Sequence, residues 1–356
     1  MRKKVIVVIP NWNGGRDLPT SIDSVLAQTY QDLAVIVVDN GSDDDSRQVI
    51  EAYQQKDARV SSILRNKNYG YTGGVNPGIE AALREDAEYV APFNNDAVAD
   101  KDWLKHLVAF LDDNPSYGIA ACAMLHADGR TIDSTADQYT TWGLAFPRGR
   151  GEPADRRFGF SRDIFGASGG ASLYRCAMLR QVGLFDQDFF AYYEDIDLSF
   201  RAQLAGWKVG FVPEAVVYHE QGKTSARLGK PGKDDSVSPF ITTQFMKNVP
   251  FIVIKDVPAQ LLWRLLPRFV LAYNLLFFRA VADGRGVAAV KGAAIFWLKL
   301  PGKLAQRRRI QKTRKVSIAY LWGIFVHDLP PNAHRLRKLR ASWWRLTGRA
   351  KRASGP

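Results

Sequence analysis

A chain of 356 residues with 46% hydrophobic residues is long enough for one large α/β domain with an appendage, or for two domains. Its two cysteines exclude a disulfide framework and a Cys-based zinc site, and they fit a reducing compartment. The net charge of +13 arises at the end of the chain: residues 301–356 carry fifteen Lys or Arg against one acid, whereas residues 1–300 carry 34 basic and 35 acidic residues. This distribution indicates an anionic partner for that end, either a membrane or a nucleic acid.

Four short apolar runs alternate with helical stretches in the first hundred residues. They cover residues 5–9, 34–38, 60–64 and 89–93, and polar residues follow each of them. Such alternation predicts parallel strands of a doubly wound sheet, in which ligands bind outside the carboxyl ends of the strands. The alternative is that Asn and Asp simply end strands in turns. The basic start of the chain precedes only five apolar residues, too few for a signal peptide, so we expect a first strand there.

The ends of the first two predicted strands carry residues suited to a nucleoside. Asp39 can accept the N3–H of a uracil or thymine ring, and Pro10, Asn11 and Asn13 can shape the floor beneath the base. The structural alternative is an acid that caps the next helix, which is a stronger explanation for Asp43 than for Asp39. A helix over residues 18–28 is expected between these two strands.

A glycine-rich segment follows the third predicted strand and opens a helix. It contains Asn68, Gly70, Gly73, Gly74 and Asn76. Such a segment can bring backbone N–H groups close to a diphosphate at a helix N-terminus. No Gly-Lys-Ser/Thr follows, so it is not a P-loop, and the dinucleotide fingerprint would follow the first strand instead.

The fourth run leads into Asn95 and Asp96, and a carboxylate there can bind a divalent cation that bridges a diphosphate. A second ligand can come from His219, after a segment, 208–217, that we interpret as a strand pair broken at Pro213. An imidazole ligand favours Mn²⁺ over Mg²⁺. The alternative for His219 is a hydrogen-bonded histidine at a strand end.

Glu194 and Asp195 follow an aromatic run and start a helix predicted over residues 194–205. Acids at a helix start are favoured by the helix dipole, so capping is the plain explanation. Asp197 and Arg201 have i,i+4 spacing and are expected to pair. That pair does not account for Glu194 and Asp195, whose aromatic surroundings restrict water and raise a carboxylate's proton affinity, as a general base requires.

The later part of the chain changes in character. Residues 126–165 predict loops and short strands, and residues 222–238 a mobile loop. Beyond residue 240, apolar runs are interrupted by basic residues, and no stretch of about eighteen uncharged apolar residues predicts a spanning helix. We expect amphipathic helices on a bilayer surface, with a soluble helical unit packed on the core as the alternative. Nucleic-acid binding is the least favoured option, since no recognition motif accompanies the charge.

Taken in order, these motifs resemble those of the inverting family 2 glycosyltransferases with the GT-A fold, particularly bacterial rhamnosyltransferase-like members. The matching segments begin with Val-Val-Ile-Pro10-Asn-Trp-Asn13, Val-Val-Asp39-Asn-Gly-Ser, Asn68-Tyr-Gly-Tyr-Thr-Gly-Gly-Val-Asn76 and Phe-Asn-Asn95-Asp96, and continue with Gly169-Gly-Ala-Ser172, Tyr192-Tyr-Glu-Asp195-Ile-Asp-Leu-Ser-Phe-Arg201 and Tyr218-His219. The resemblance implies that Asp39 binds the pyrimidine, Asp96 the metal and Asp195 the acceptor proton, with His219 beside the metal. The family's paired-acid metal motif is one acid short here, as Asn95-Asp96.

The resemblance also implies an organisation and a reaction. We expect an α/β GT-A fold with a Rossmann-like mixed sheet: a nucleotide-sugar half over 1–125, an acceptor and catalytic half over 126–225, a flexible linker over 226–239 and a basic amphipathic helical extension over 240–356. The acceptor side is expected at Gly169, Gly170, Ser172 and Tyr193. The expected reaction is inverting transfer of rhamnose or a similar hexose from a dTDP- or UDP-sugar, with Mn²⁺ or Mg²⁺.

The expected acceptor is a polyprenyl-diphosphate-linked or cell-surface glycan, and the expected location is the cytoplasmic face of the cell membrane, bound peripherally to its anionic surface. Two alternatives remain open. A sugar-1-phosphate nucleotidyltransferase shares the sheet and the nucleotide, but it places a Gly-rich loop with an Arg directly after the first strand, which fits Pro10 to Arg16 poorly. A polybasic binding module without catalysis does not account for Asp39, Asp96, Asp195 and His219 together.

Overall fold

The computed structural model describes residues 3–219 and 237–328. Most of the predicted loop over 222–238, and residues 329–356 of the basic extension, lie outside these ranges. The strands are β1 (Val5–Asn11), β2 (Leu33–Asp39), β3 (Val60–Leu64), β4 (Tyr89–Pro92), β5 (Ala97–Ala99), β6 (Tyr117–His126), β7 (Ile132–Ser134), β8 (Asp137–Tyr139), β9 (Ala145–Pro147), β10 (Asp163–Ile164), β11 (Leu173–Arg175) and β12 (Lys208–His219). The helices are α1 (Leu18–Leu26), α2 (Ser46–Lys56), α3 (Gly70–Arg84), α4 (Trp103–Asp113), α5 (Cys176–Val182), α6 (Glu194–Leu204), α7 (Pro239–Lys255), α8 (Ala259–Ala282), α9 (Gly286–Lys312) and α10 (Ile318–Ile324).

One mixed sheet organises the first described range. Its order is β10-β12-β6-β11-β4-β1-β2-β3, with β5 paired to β12 and β7 to β6. Strands β4, β1, β2 and β3 are parallel, as their sequence pattern predicted. Apolar side chains alternate between the two faces of β1 and β2 and enter two separate buried clusters, one on each side of the sheet. The result is an α/β/α arrangement in which the two predicted halves share one sheet.

The register brings the polar strand ends together. Asn11 at the end of β1 lies opposite Asp39 at the end of β2, and Asp39 lies opposite Leu64 of β3. The prediction of a strand pair broken at Pro213 was wrong, because residues 208–219 form one strand alongside β6 with a shift of register between Val212 and Val216. A bulge accommodates a proline, which has no N–H to donate, without ending the strand.

The C-terminal helices pack on the core through α7. A third buried cluster joins Phe189, Tyr193 and Phe200 to Val249 and Phe251 of α7. The outer faces of α8 and α9 are different, since large apolar side chains there are exposed. Among the residues that the structure describes, α8 alone has the length and composition of a membrane-crossing helix, on those two criteria only.

Candidate active site

Asp39 lies at the base of the predicted nucleoside site. Its side chain is fully buried, and Oδ2 accepts hydrogen bonds from Arg47 Nε at 3.0 Å and from the backbone N–H of Ser42 at 3.3 Å. Oδ1 is buried without a hydrogen-bond partner. A buried carboxylate oxygen left without a donor is costly, so this oxygen is suited to receive a ring N–H.

Short polar contacts connect the ends of β1, β2 and β4. Asn95 Nδ2 donates to Asn11 Oδ1 at 2.7 Å, and both side chains are buried. The backbone N–H of Asn13, a residue with φ of +50°, donates to Ser42 Oγ at 2.9 Å. A Cβ on Gly14 would lie 2.1 Å from Asn95 Nδ2, so only glycine fits against this pair. Asn11 and Asn95 therefore form a wall of the site through their contact with each other.

The glycine-rich segment starts α3 beside this wall. Asn68 Oδ1 accepts the N–H of Gly70 at 2.8 Å, and Asn40 Nδ2 donates to the Gly70 carbonyl at 2.9 Å. A Cβ on Gly74 would lie 3.2 Å from Pro10 Cβ, which brings the helix start close to the first strand end. A Cβ on Gly73 would lie 2.3 Å from Tyr69 Cβ. These contacts bring the N-terminus of α3 against the ends of β1 and β2, and diphosphate binding there stays a prediction.

Asn76, predicted on the donor side, is buried in α3 and its Nδ2 donates to the carbonyl of Phe185 at 2.8 Å. Its amide thus joins α3 to the segment before the catalytic acids. A direct contact with the donor remains a prediction for this residue.

Asp96 and His219 meet at the junction of β5 and β12. His219 Nε2 lies 3.3 Å from Asp96 Oδ1 and 3.3 Å from Asn94 Nδ2, and the His219 and Asp96 side chains are partly buried. A carboxylate oxygen and an imidazole nitrogen are both ligands that a divalent cation accepts, so this pair would supply two ligands to Mn²⁺ or Mg²⁺. Among the described residues no group of three His, Cys, Asp or Glu side chains can enclose an ion. Oxygens of a diphosphate would have to complete the shell.

Asp133 orients His219, a contact that the sequence analysis missed because the two residues are far apart in the chain. Asp133 Oδ2 is 2.9 Å from His219 Nδ1, and Arg150 Nη2 is 2.9 Å from Asp133 Oδ1. A carboxylate on the far nitrogen of a ligating histidine is a recurrent support for metal binding. Burial alone lowers the pKa of His219, whereas the hydrogen bonds to Asp133 and Asp96 raise it, to about 9.

Asp195 contacts the glycine pair 169–170, which also contacts Asn94 near the Asp96–His219 pair. Its Oδ2 accepts the N–H of Gly169 at 3.3 Å, and its Oδ1 accepts that of Ile196 at 2.8 Å. The next residue, Gly170, accepts at its carbonyl the N–H of Asn94 at 2.8 Å. Asp195 is half-buried, and burial raises its pKa despite those hydrogen bonds. One dipeptide therefore contacts both the predicted base and Asn94, whose side chain lies beside the predicted metal ligand His219.

Two further carboxylates surround Asp195. Glu194 is buried, its Oε2 has no hydrogen-bond partner, and burial followed by the charge of Asp195 raises its pKa well above the usual range. Asp137 at the start of β8 is also buried with Oδ2 unpartnered, and burial and Asp195 raise its pKa as well. No motif marked Asp137 in the sequence, since it enters the site through the irregular region 126–165.

The predicted acceptor-side residues form hydrogen bonds within the protein. Tyr71 Oη donates to the Gly169 carbonyl at 2.6 Å, and Ser172 Oγ donates to the Ser168 carbonyl at 2.7 Å. Tyr193 is buried, with its hydroxyl 3.3 Å from the carbonyl of Ala145. Because the Ser172 and Tyr193 hydroxyls are bonded internally, their contact with an acceptor stays a prediction. A cavity of about 430 Å³ opens beside Asp96, lined by Asp17, Thr20, Ala97, Val98, Ala127 and Tyr218.

A family model described as glycosyl transferase family 2 matches residues 6–183, half of the chain. The chain therefore belongs to this family, and the protein is a glycosyltransferase.

Its relatives include proteins named as rhamnosyltransferases. An N-acetylglucosaminyl-diphospho-decaprenol L-rhamnosyltransferase of Mycobacterium tuberculosis is 27% identical over 62% of this chain and 77% of its own length. The O-antigen chain rhamnosyltransferase RfbN of Salmonella typhimurium is 25% identical over 68% and 76%. An uncharacterized glycosyltransferase of Nostoc is 35% identical over 38% of this chain, and a probable glucomannan 4-beta-mannosyltransferase of Arabidopsis thaliana is 27% identical over 62%. The chain spans 41% and 40% of the length of these last two.

Solved structures confirm the fold. Residues 1–349 of S. aureus TarS align with a TM-score of 0.51 and 17% identity over 90% of this chain and 92% of that one. GalNAc-T7, solved with UDP, GalNAc and Mn²⁺, aligns with a TM-score of 0.55 and 17% identity over 71% of this chain and 48% of that one. The predicted GT-A fold with a helical C-terminal region is therefore confirmed.

Proposed function

We propose that the protein transfers rhamnose or a similar hexose from a dTDP- or UDP-sugar to a hydroxyl of a polyprenyl-diphosphate-linked or cell-surface glycan, with inversion at the anomeric carbon. One observation carries this proposal: Asp195 accepts the N–H of Gly169, and the next residue, Gly170, accepts the N–H of Asn94, whose side chain lies 3.3 Å from His219 Nε2. The proposed base and the proposed site for the leaving diphosphate are thus linked through one pair of glycines.

The chain's own groups account for the steps. Asp195 takes the proton of the acceptor hydroxyl, whose oxygen forms a bond to the anomeric carbon from the face opposite the diphosphate. The bond between that carbon and the diphosphate oxygen breaks, and the nucleoside diphosphate leaves with the electron pair. Asp96 and His219 would hold a divalent cation, which neutralises charge on the leaving diphosphate. A single displacement inverts one centre.

Asp39 supports a pyrimidine donor, because its unpartnered Oδ1 can accept the N3–H that uracil and thymine both carry. The names of the mycobacterial and Salmonella relatives support rhamnose as the sugar. The mycobacterial relative's name also contains a decaprenol diphosphate, which supports a lipid-linked acceptor.

The outer faces of α8 and α9 support docking at a membrane surface. Trp263 is 83% exposed and Trp297 66%, and further exposed apolar side chains accompany them: Leu266, Val270, Leu271, Leu275, Phe278, Val281, Val287, Val290 and Leu298. Exposed arginines on α8 lie among these residues, namely Arg264, Arg268 and Arg279. Large aromatics beside basic residues suit the headgroup region of an anionic leaflet, which we propose is the cytoplasmic one.

The test is metal-dependent release of nucleoside diphosphate from dTDP-rhamnose or UDP-sugars, with a lipid-linked acceptor present. Asp195→Asn should lower kcat about 10³-fold, since a positioned base contributes about 10²–10⁴-fold. Binding of dTDP or UDP should change less than about threefold because Asp39 is intact. Glu80→Gln, an exposed acid on α3, is the control and should keep native kcat.

The one-bond C1–H1 coupling constant of the product, measured by NMR, reports the anomeric configuration and hence inversion. Retained configuration would contradict the single displacement. Synthesis of a nucleotide sugar from a sugar phosphate, with pyrophosphate as co-product, would support a nucleotidyltransferase instead.

A further inference from the structure

The segment that leads into the catalytic acids has a strained backbone. Phe190, Tyr192 and Tyr193 have φ of +64°, +68° and +69°, and Glu194 and Asp195 follow at once. Left-handed backbone is costly for aromatic residues and persists only where surrounding contacts enforce it. The contacts that enforce it here decide where Asp195 points.

Helix α7 supplies these contacts from a distant part of the chain. Asn248 is fully buried, and its Nδ2 lies 3.0 Å from the carbonyl oxygen of Phe189, 2.9 Å from that of Ala191 and 2.7 Å from that of Tyr192. Lys247, also buried, donates from Nζ to the same Phe189 carbonyl at 3.1 Å. Two consecutive side chains thus hold three carbonyls of residues 189–192, with the two N–H groups of the Asn248 amide shared among three acceptors.

The same segment contacts the donor side. The N–H of Thr72, in the first turn of α3, donates to the Phe190 carbonyl at 3.2 Å. A Cβ on Gly70 would lie 2.4 Å from that carbonyl oxygen, so the helix start and the strained segment are in direct contact. A displacement of the segment would therefore move the base relative to the donor.

We propose that Asn248, assisted by Lys247, is a positioning residue that sets the location of Asp195, so that the C-terminal helical region is part of the catalytic apparatus as well as a membrane-facing surface. The inference rests on the proposed role of Asp195. Asn248 acts through the backbone carbonyls of Phe189, Ala191 and Tyr192.

The test uses the full-length protein and the isosteric variant Asn248→Asp, which keeps the volume but removes the donating NH₂. We expect kcat to fall about 100-fold, as misplacement by about 1 Å can produce, with the Kd for dTDP or UDP within threefold of native. Asn114→Asp is the matched control, because Asn114 follows α4 and its Nδ2 donates to the carbonyl of Phe110 at 2.8 Å. It should keep native kcat.

Hydrogen exchange tests the role of Asn248 independently of the proposed sugar transfer. Amides of residues 190–196 should exchange at least tenfold faster in Asn248→Asp and at the native rate in Asn114→Asp, whether or not a sugar donor has been found. Absence of transfer by the native protein with every donor would refute the proposed function, while the exchange result would still decide whether Asn248 holds the segment.

Native kcat in a folded Asn248→Asp variant, or unchanged exchange over 190–196, would overturn the proposal. So would a loss of donor affinity as large as the loss of kcat, which indicates general unfolding of the site. If Asn248→Asp does not fold, Lys247→Met keeps the proposal testable: we expect about a fivefold lower kcat with donor Kd unchanged, and an unchanged kcat would refute it.

Discussion

The donor side and the catalytic segment of this glycosyltransferase are built in different ways. On the donor side, Asn11, Asp39 and Asn95 end strands of one sheet, and backbone pairing between neighbouring strands places them together. Asp195 instead follows a strained segment that is held by side chains of α7, more than fifty residues later in the chain. The predicted donor side is therefore built on the sheet, whereas the segment before the proposed base is held by the C-terminal helices.

Buried charges extend this dependence beyond Asn248. Nζ of Lys303 in α9 lies 2.7 Å from Asp186 Oδ2 and 2.9 Å from Asp188 Oδ2, and both carboxylates belong to the short turn before the strained segment. Lys255 of α7 contacts the same Asp186 and also Asp197 of the catalytic helix α6. Helix α6 and the C-terminal helices are thus joined by one network of buried charges, and removal of a member should affect stability more than removal of a surface ion pair.

The largest effect is expected from Lys303→Met. This change leaves buried carboxylates with fewer positive partners and should lower the free energy of unfolding by about 3 kcal/mol. Lys299→Met is the matched control on the same helix, because Lys299 pairs with the same Asp188 at 3.1 Å but is 54% exposed. It should cost less than about 1 kcal/mol in urea denaturation. Equal losses for the two variants would mean that the network is no stronger than a surface pair.

The pH dependence of stability tests the same network of buried charges. Burial alone raises the pKa of Asp186, but Lys255 and Lys303 outweigh it and hold that pKa well below its usual range. A carboxyl whose pKa is lowered on folding stabilises the fold above its unfolded pKa of about 3.9 and loses that contribution as the pH falls. The native melting temperature should therefore drop below about pH 4, and Lys303→Met should show a shallower drop. A parallel pH dependence of the two proteins would contradict this assignment.

The next largest effect concerns the metal pair. Asp133→Asn should weaken Mn²⁺ binding about 10- to 100-fold, since loss of the carboxylate on the second nitrogen of His219 frees the imidazole ring to turn. Titration of Mn²⁺ followed by electron paramagnetic resonance, with UDP present, measures this without turnover. Asp155→Asn, an exposed acid in the same irregular region, should bind Mn²⁺ as the native protein does.

On the donor side, Asp39→Asn should lower affinity for UDP and dTDP about tenfold, because an amide oxygen is a weaker acceptor for the ring N–H than a carboxylate. The variant's amide NH₂ can donate to N3 of cytosine, so the difference in binding affinity between UDP and CDP should become smaller. Asp43→Asn, in the same turn but exposed, should leave both affinities unchanged in calorimetry. An unchanged UDP affinity in Asp39→Asn would remove Asp39 from the nucleoside site.

The smallest effect is expected at the membrane-facing surface. Trp263→Ala should weaken binding to vesicles of anionic phospholipid about fivefold, since burial of one large side chain contributes only about 1–3 kcal/mol and neighbouring apolar residues remain. Phe158→Ala, which removes a 58% exposed aromatic from the sheet domain, is the control in the same sedimentation assay. Native binding by Trp263→Ala would locate the membrane contact outside α8.

Much of the donor side could be predicted because short-range patterns encode it. The alternation of apolar runs predicted β1 to β4, and the polar residues after each run predicted the edge at which Asn11, Asp39 and Asp96 lie. The pairing of Asp197 with Arg201 followed from helix geometry alone and is confirmed, with Nη2 to Oδ2 at 2.7 Å.

Other contacts could not be predicted, since nothing local encodes them. Asp133 and Asp137 enter the site from a region without periodicity, and Pro213 produced a bulge where a break was expected. The packing of α7 on the sheet domain was only an alternative to membrane association, because an apolar helix face has the same composition whether protein or lipid covers it.

The amino-acid sequence by itself determined the sheet, the order of the motifs and the family, because strand and helix periods and glycine positions act over a few residues. Only the tertiary structure decided which carboxylate orients His219 and which side chain holds the backbone before Asp195. Such contacts join residues 50 to 90 positions apart, and their formation depends on how whole elements pack, which no local pattern records.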